Sequence, residues 1–166
     1  FEEIRAGILP LLKDLMIGIE HVGSTSVEGL AAKPVIDIDV IVDSFEKLPK
    51  IIVALAKLGY VYRGNLGIEG REAFKAIEPK YKHNLYVCSK DAIALKNHLA
   101  LRDHLRTHPK DRDEYARIKK ELAAKFPDDV DSYVEGKSEF ILGILKNYKK
   151  NKKSLKGIEE ANRKKS

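Results

Sequence analysis

The sequence predicts an α+β fold, with strands in the first ninety residues and helices before, between and after them. Acidic and apolar residues alternate from Val35 to Val42, which is the period of a half-buried strand. Two short segments, 73–78 and 83–88, flank a turn-forming stretch and predict a hairpin. Leucine and isoleucine recur every three or four residues from Asp91 to Tyr148, as in helices that are packed on one side.

Recognisable residues begin and end these elements. A Ser, Thr or Asp followed three residues later by Glu is a capping box that begins a helix, whereas Gly and Pro end one. In chain order the predicted elements are a helix over 2–16 that Pro10 kinks, a strand over 16–22, a helical turn over 25–32, the strand over 35–42, a helix over 43–58, a strand from residue 60, the hairpin, and helices over 89–106, 111–126 and from residue 131.

The positive charge is concentrated at the carboxyl end of the chain. The formal net charge is +6, and residues 146–166 hold nine lysines or arginines against two glutamates, which leaves the first 145 residues at −1. Nucleic-acid grooves instead carry their basic residues on the folded body. The charge distribution therefore argues against a nucleic-acid partner, and we expect one domain over residues 1–150 and a basic C-terminal tail over 151–166.

Cysteine content and hydropathy indicate the cellular setting. The one cysteine, Cys88, excludes an internal disulfide and is typical of the reducing cytoplasm. No apolar run approaches the length of a bilayer span, so we expect a cytoplasmic protein with no membrane partner. Four histidines lack the paired spacing that would complete a zinc site with Cys88, namely His83, His98, His104 and His108.

The strand over 35–42 carries two acids on one face. Side chains alternate along a strand, so Asp37 and Asp39 point one way while the apolar residues around them point the other. Their carboxylates lie roughly 6 to 7 Å apart, and their repulsion is about 2 to 3 kcal/mol at an effective dielectric of about 20. Either Mg²⁺, a hard cation that prefers oxygen ligands, or a nearby lysine or arginine would offset this repulsion.

A glycine turn precedes the acidic strand. Gly23 lets main-chain N–H groups and the Ser24 hydroxyl approach phosphate oxygens with no side chain in the way, and Thr25 extends the same turn. Asp37 and Asp39 would then be the catalytic and metal-binding residues, holding Mg²⁺ between those phosphates for an in-line attack on phosphorus. The alternative is an ordinary tight turn before a strand with a solvated face.

Residues 22–42, VGSTSVEGLAAKPVIDIDVIV, resemble the signature of the GrpB-like family, a branch of the nucleotidyltransferase superfamily that includes DNA polymerase beta. The resemblance implies a nucleotidyltransferase-like fold, with a small mixed β-sheet flanked by α-helices. Later segments match in the same order over nearly the whole chain, namely Arg71 with Phe74, HNLYV from His83, LRDHLR with Arg102 and Asp103, Tyr115 with Lys119, and YVEGKSEFI with Tyr133 and Lys137.

The resemblance leaves the chemistry open. The superfamily pattern includes a third carboxylate on a following strand, and Glu78 is the acid near the end of such a strand here. Its position beside Pro79 is equally that of an exposed turn residue. The family commonly has a second histidine where this chain has Tyr86. Similar domains are fused to dephospho-coenzyme A kinase in some bacteria, which links them to coenzyme A metabolism.

Five more residues are candidates for binding phosphate beside the glycine turn. Lys33 precedes the acidic strand, and Arg71 follows a glycine-rich loop. Lys119 and Lys137 interrupt apolar helical stripes, which is typical of an anion-binding lysine and also of one that reaches water from the rim of a core. His83 begins a strand in the family pattern, and its imidazole would hydrogen-bond to a phosphate or an aspartate.

Three hypotheses about function follow. The first is a Mg²⁺-dependent nucleotidyltransferase whose partner is a nucleotide or other phosphorylated small molecule. The second is a catalytically inert binding module of the same fold that serves a partner protein, with coenzyme A metabolism as one setting. The third is an RNA-binding accessory that uses the lysine-rich carboxyl end.

Overall fold

The structure, a computed structural model, describes residues 1–163, and side chains through residue 150. The described residues form five strands and five α-helices, and the last three helices all follow the last strand. The helices are α1 (Glu2–Leu12), α2 (Leu48–Ala56), α3 (Ile93–Thr107), α4 (Pro109–Lys125) and α5 (Val130–Arg163), and the strands are β1 (Gly18–Val22), β2 (Ile36–Val42), β3 (Tyr60–Tyr62), β4 (Arg71–Ala76) and β5 (His83–Ser89).

All five strands form one mixed sheet in the order β1-β2-β5-β4-β3. β2 and β5 run parallel, whereas the other neighbouring pairs run antiparallel. The antiparallel pairing of β4 with β5 is the predicted hairpin. Helices and a mixed sheet together confirm the α+β class.

One face of the sheet is apolar and packs against α1 and α2. Ile38, Val40 and Val42 of β2 point to this face and are almost completely buried. Helix α1 contributes Ile8 and Leu12 to the same cluster, and further side chains come from α2 and the other strands. Burying such a side chain stabilises the fold by about 1.5 to 3 kcal/mol, so this face supplies much of the stability of the sheet.

The opposite face of the sheet carries polar residues and is partly covered by the first turns of α3. Cys88 of β5 packs with Ala92, which precedes α3, and with Leu95 in α3, and Ile41 of β2 lies against this smaller cluster. The remaining part of this face holds Asp37 and Asp39. We call this whole side of the sheet, opposite the apolar side, the acid face.

The chain divides into two compact units, residues 1–102 and 103–166. In the second unit α4 packs against α5, with the rings of Tyr115 and Phe140 stacked at a centroid distance of 5.5 Å. Gly136 permits a close approach, because a Cβ at this position would lie 2.6 Å from Leu122 Cδ2.

No helix in the described part of the chain has the length and apolar composition needed to cross a membrane.

Three local features differ from the prediction. The helical turn predicted over 25–32 is only a 3₁₀ turn over Ser24–Ser26, because Gly29 has a φ of +79°, which a right-handed helix cannot contain. The N-terminal cap before α2 is made by the Ser44 hydroxyl, which accepts from the Glu46 N–H at 3.4 Å, rather than by Asp43. Helix α1 ends at Leu12 and strand β1 begins at Gly18, so neither element reaches residue 16 as predicted.

Candidate functional site

The strand register places both predicted acids on one face, as the alternation predicts. Asp37 pairs with Asn84 of β5, and Asp39 pairs with Tyr86. On the other side Asp39 pairs with Glu20 of β1. Directly paired residues project to the same side of a sheet, so these five side chains share the acid face.

Asp37 lies directly against the glycine turn. Gly23 has a φ of +74°, and a Cβ at this position would lie 2.3 Å from Asp37 Oδ2. No other residue can therefore occupy position 23 without displacing the carboxylate. The amide nitrogen of Asn84 donates to Asp37 Oδ1 at 2.9 Å and orients it. Asp37 is half-buried, so its carboxylate lies beside main chain at a surface that a ligand can reach.

The hydroxyl groups of the turn have different roles from one another. Ser26 donates from both its backbone N–H, at 3.1 Å, and its hydroxyl, at 2.6 Å, to the Gly23 carbonyl and so fixes the turn. The Thr25 hydroxyl lies 2.9 Å from Nε2 of His21, whose side chain projects to the apolar side of β1. The Gly23 and Ser24 main chain, rather than the Thr25 hydroxyl, is therefore the part of the turn next to Asp37.

Asp39 is completely buried and is held from α3. The ring Nδ1 of His98 lies 2.7 Å from Asp39 Oδ2 and donates to it when the carboxylate is ionised. The second oxygen, Oδ1, is also buried and has no hydrogen-bond partner of good geometry among the described residues. An unsatisfied carboxylate oxygen in a protein interior is costly, and a bound cation is one group that would satisfy it.

The thiol next to Asp39 remains protonated. Burial raises the pKa of Cys88 far above its ordinary value, and the negative charge of Asp39 raises it further. Cys88 is therefore a packing residue of the acid face, without the thiolate that nucleophilic or metal-binding chemistry requires.

Two arginines bring positive charge to the acid face. The guanidinium of Arg71 stacks over the Tyr86 ring at 4.2 Å, and its Nε is buried with no hydrogen-bond partner among the described residues. Burial raises the pKa of Tyr86, an effect that Arg71 opposes. Arg102 of α3 donates to Glu20 at 2.6 Å and to the His21 carbonyl at 3.1 Å. Arg71 thus lies on the acid face over Tyr86, whereas Arg102 is paired with Glu20.

Glu78 does not supply a third carboxylate. It is exposed in the segment between β4 and β5, and the positions of β5 beside the two aspartates are Asn84 and Tyr86. The acid that does share this face is Glu20, which the sequence analysis did not select. Its charge is paired with Arg102, and it is partly exposed.

His83 lies on the opposite face from the two aspartates. It pairs with Ile36 in register, and its Nε2 lies 2.6 Å from the Tyr60 hydroxyl within the apolar side of the sheet. Its Nδ1 donates to the Tyr81 carbonyl at 2.7 Å. His83 therefore does not lie beside Asp37, because one position along a strand reverses the side of the sheet.

The three predicted lysines lie in different places. Lys33 is exposed in the segment before β2. Lys119 and Lys137 belong to the second unit, on α4 and α5, where each ammonium lies over a tyrosine ring, at 4.9 Å from Tyr115 and 5.5 Å from Tyr133. Burial, followed by the positive charge of Lys137, lowers the pKa of Lys119 to about 8. The ammonium groups of these two lysines are therefore close enough to repel each other.

The acid face fits one hard cation better than two. Asp37 and Asp39 supply carboxylate oxygens on the same side of β2, and Asp39 Oδ1 is an unsatisfied acceptor. A two-metal centre requires further acids, and no group of three potential ligands among His, Cys, Asp and Glu forms in the described part of the chain. The acid face therefore offers a hard cation two protein carboxylates, those of Asp37 and Asp39.

Besides Glu20, three residues of the acid face were not selected as site residues from the sequence, namely His98, Arg102 and Asn84. The first two come from α3, about sixty or more residues after their partners, and no spacing rule links them to β2 or β1. Asn84 could have been found from the parity of β5, because residues 84, 86 and 88 share one face once Asp37 is paired with Asn84.

Comparison with known proteins gives consistent matches. The family described as GrpB protein matches residues 1–147. The chain is 37% identical over 153 residues to the UPF0157 protein YqkA of Bacillus subtilis, covering 92% of this chain but 45% of YqkA. It is 32% identical over 150 residues to the glutamate-rich protein GrpB of Alkalihalophilus pseudofirmus, covering 87% and 86% of the two chains. The chain thus spans less than half the length of one of these relatives.

Solved structures match the same architecture. The crystal structure of the conserved protein GrpB from Enterococcus faecalis superposes with a TM-score of 0.79 at 37% identity, covering 91% of each chain. Terminal uridylyl transferase 4 from Trypanosoma brucei, with bound UPU, superposes with a TM-score of 0.54 at 13% identity, covering 82% of this chain and 51% of that one. At that identity the second match concerns the fold alone, which is nucleotidyltransferase-like.

Proposed function

The chain belongs to the GrpB protein family, and from this premise we propose that it is a nucleotidyltransferase-type protein that binds a Mg²⁺-complexed nucleotide, or another phosphorylated small molecule, on the acid face. The observation that carries the proposal is the contact between Gly23 and Asp37. A positive-φ glycine with its main chain against a carboxylate brings N–H groups and a metal-binding oxygen together, which is what a metal-bound phosphate requires.

Each residue of the acid face has a proposed part in this binding. The Gly23–Ser24 main chain approaches the phosphate oxygens, and Arg71 contributes a positive charge from β4. Asn84 orients Asp37, and His98 holds Asp39 with one oxygen available. When bound, Mg²⁺ would neutralise phosphate charge and act as a Lewis acid at phosphorus. Asp37 and Asp39 are the residues that would hold it.

A second candidate function is a binding module of the same fold without turnover. Two observations favour it. The positions of β5 beside the aspartates are an amide and a phenol rather than a carboxylate, and Asp39 is fully buried behind His98. Such a protein would bind the same ligand and transmit the bound state to a partner protein.

We propose the cytoplasm for either role, because the single cysteine is buried and reduced.

Calorimetric titration with ATP and with UTP, each with and without MgCl₂, tests the proposal. We expect Mg²⁺-dependent binding that the double change Asp37→Asn and Asp39→Asn abolishes. Asp43→Asn is the matched control, because Asp43 follows the same strand but is exposed and pairs with Lys90. Binding by the control and not by the double variant supports the proposal.

Two results decide whether the protein binds a nucleotide at all and whether it turns the nucleotide over. Absence of nucleotide binding by the unchanged protein with Mg²⁺ contradicts the proposal. Once binding is established, release of pyrophosphate from a nucleoside triphosphate distinguishes the enzyme from the binding module. We expect any release to be lost in the double variant and kept in the Asp43→Asn control.

A further inference from the structure

A basic pocket lies beside the acid face in the first unit. It is a cavity of about 430 Å³ whose lining includes Arg63, Lys75 and Lys82. Two more of its lining residues, Asn84 and Tyr86, are also the β5 neighbours of Asp37 and Asp39. The basic pocket and the acid face are therefore contiguous.

The register shows how near they are. Every second side chain of β4 points to the acid face, and these are Arg71, Ala73 and Lys75. Because Ala73 pairs with Tyr86, Lys75 lies across from Asn84, which in turn lies across from Asp37. The Arg63 N–H donates to the Ala73 carbonyl at 2.8 Å, so Arg63 lies across from Ala73 in the same way. Adjacent strands are about 4.8 Å apart, so Lys75 begins about 10 Å from Asp37 across the sheet.

The charges of the basic pocket are all of one sign. Its lining contains three cations and no aspartate or glutamate. None of the three cations forms an ion pair with a side chain that the structure describes, whereas Lys80 pairs with Glu3 and Lys90 pairs with Asp43. Three exposed cations around one cavity favour an anion with more than one charge.

The walls of the basic pocket favour an organic anion of limited size. Val35 and Leu66 contribute apolar surface to the lining, and Tyr86 contributes an aromatic ring. A bounded cavity with three cations differs from the long basic groove that follows a nucleic-acid backbone. Its dimensions and chemistry match a phosphorylated small molecule.

We propose that the basic pocket binds the phosphate groups of the acceptor, a phosphorylated small molecule whose reacting oxygen lies toward Asp37. This inference rests on the proposed function. In the reaction the acceptor oxygen forms a bond to the α-phosphorus of a nucleoside triphosphate, and the bond from that phosphorus to the bridging oxygen breaks. Its electron pair leaves on pyrophosphate, and the acceptor proton passes to solvent water.

Metal-free NMR titration with fructose 1,6-bisphosphate as the probe tests the basic pocket separately from the nucleotide site. The triple change of Arg63, Lys75 and Lys82 to Gln should weaken binding by about tenfold or more, because three attractive charges are lost. A control triple change of exposed lysines to Gln removes the same charge elsewhere on this unit and should leave binding within about twofold of the original. Those control residues are Lys13, Lys50 and Lys57.

The outcomes separate the two proposals. Equal binding by both triple variants, or stronger binding of a single-stranded RNA oligonucleotide than of the bisphosphate at the basic pocket, overturns the acceptor assignment. Asp37→Asn with Asp39→Asn should not weaken bisphosphate binding, because it keeps the three cations and removes only negative charge near them. If the unchanged protein binds the bisphosphate but does not bind a Mg²⁺-nucleotide, the result contradicts the proposed function and not the assignment of the basic pocket.

Discussion

The two faces of β2 are built by opposite rules. On one face Ile38 and Val40 are completely buried in an apolar cluster that includes residues of α1 and α2. On the other face Asp39 is just as deeply buried, yet it is a carboxylate with one oxygen bonded to His98 and the other unsatisfied. Burial of apolar carbon stabilises the fold, whereas burial of a charge destabilises it unless a partner compensates. This difference is the reason for proposing a ligand site on the acid face.

The apolar face should give the largest effect on stability. Ile38→Ala removes a side chain from the centre of the core and should lower the free energy of unfolding by about 3 to 4 kcal/mol. Ligand affinity per folded molecule should stay unchanged. Urea denaturation combined with titration of the folded fraction checks both. A loss of affinity in this variant would show that the two faces are not independent.

His98→Ala should be the next largest change. It leaves both oxygens of the buried Asp39 without a hydrogen bond, which should cost about 2 to 3 kcal/mol. The same substitution in an Asp39→Asn background should cost less, because an amide carries no charge to compensate. A double-mutant cycle in urea measures this coupling. Additive effects would contradict a compensating role for His98.

Gly23→Ala should have a moderate effect on stability and a strong effect on binding. The new Cβ meets Asp37 and requires a left-handed backbone conformation, so we expect about 1 to 2 kcal/mol of destabilisation. Displacement of the Asp37 carboxylate should weaken Mg²⁺-nucleotide binding by about tenfold or more. Gly59→Ala is the control, because Gly59 also has a positive φ but nothing lies within 4 Å of its added Cβ. Equal losses of binding in both variants would contradict the contact.

Lys119→Met should give the smallest effect, which depends on pH. Folding lowers the pKa of this ammonium from 10.5 to about 8, so between these values the unfolded chain binds more protons than the folded one. The destabilisation is complete below pH 8 and disappears as the pH approaches 10.5. The stability of the unchanged protein should therefore rise across this window, by about 1 kcal/mol for a half-buried group.

Urea denaturation at a series of pH values measures this effect. Lys119→Met should lack the rise and be slightly more stable at pH 7. Lys120→Met is the control, since Lys120 is exposed on the same helix. An identical pH dependence in all three proteins would contradict the burial of Lys119.

Local pattern was enough to predict the two-faced strand. The period of two residues predicts that Asp37 and Asp39 lie on one side of the strand, and the register confirms it. The hairpin of β4 and β5 followed for the same reason, because its signals lie within about fifteen residues. The GrpB family and the nucleotidyltransferase-like fold were likewise readable from motifs that lie in order along the chain.

The pairing between strands that are far apart in sequence could not be predicted from such local patterns. His83 and Asn84 are neighbours in sequence, and only the pairing of β2 with β5 decides which of them lies beside Asp37. His98 reaches Asp39 from a helix that starts more than fifty residues later, so its role depends on how α3 packs on the sheet. Glu78 failed as a third acid for a related reason, since it lies beyond the end of β4 in a solvent-exposed turn.

Paramagnetic broadening by Mn²⁺, used with a nucleotide in place of Mg²⁺, tests the central claim most directly. If one hard cation and its phosphate bind on the acid face, the amide signals of Gly23, Ser24 and Asn84 should broaden first, at one ion per protein. Signals of exposed α2 residues such as Val53 and Lys57 should stay sharp, and Asp37→Asn with Asp39→Asn should remove the effect. Broadening centred on any other part of the chain, or unchanged in that double variant, would contradict the assignment of the acid face as the ligand site.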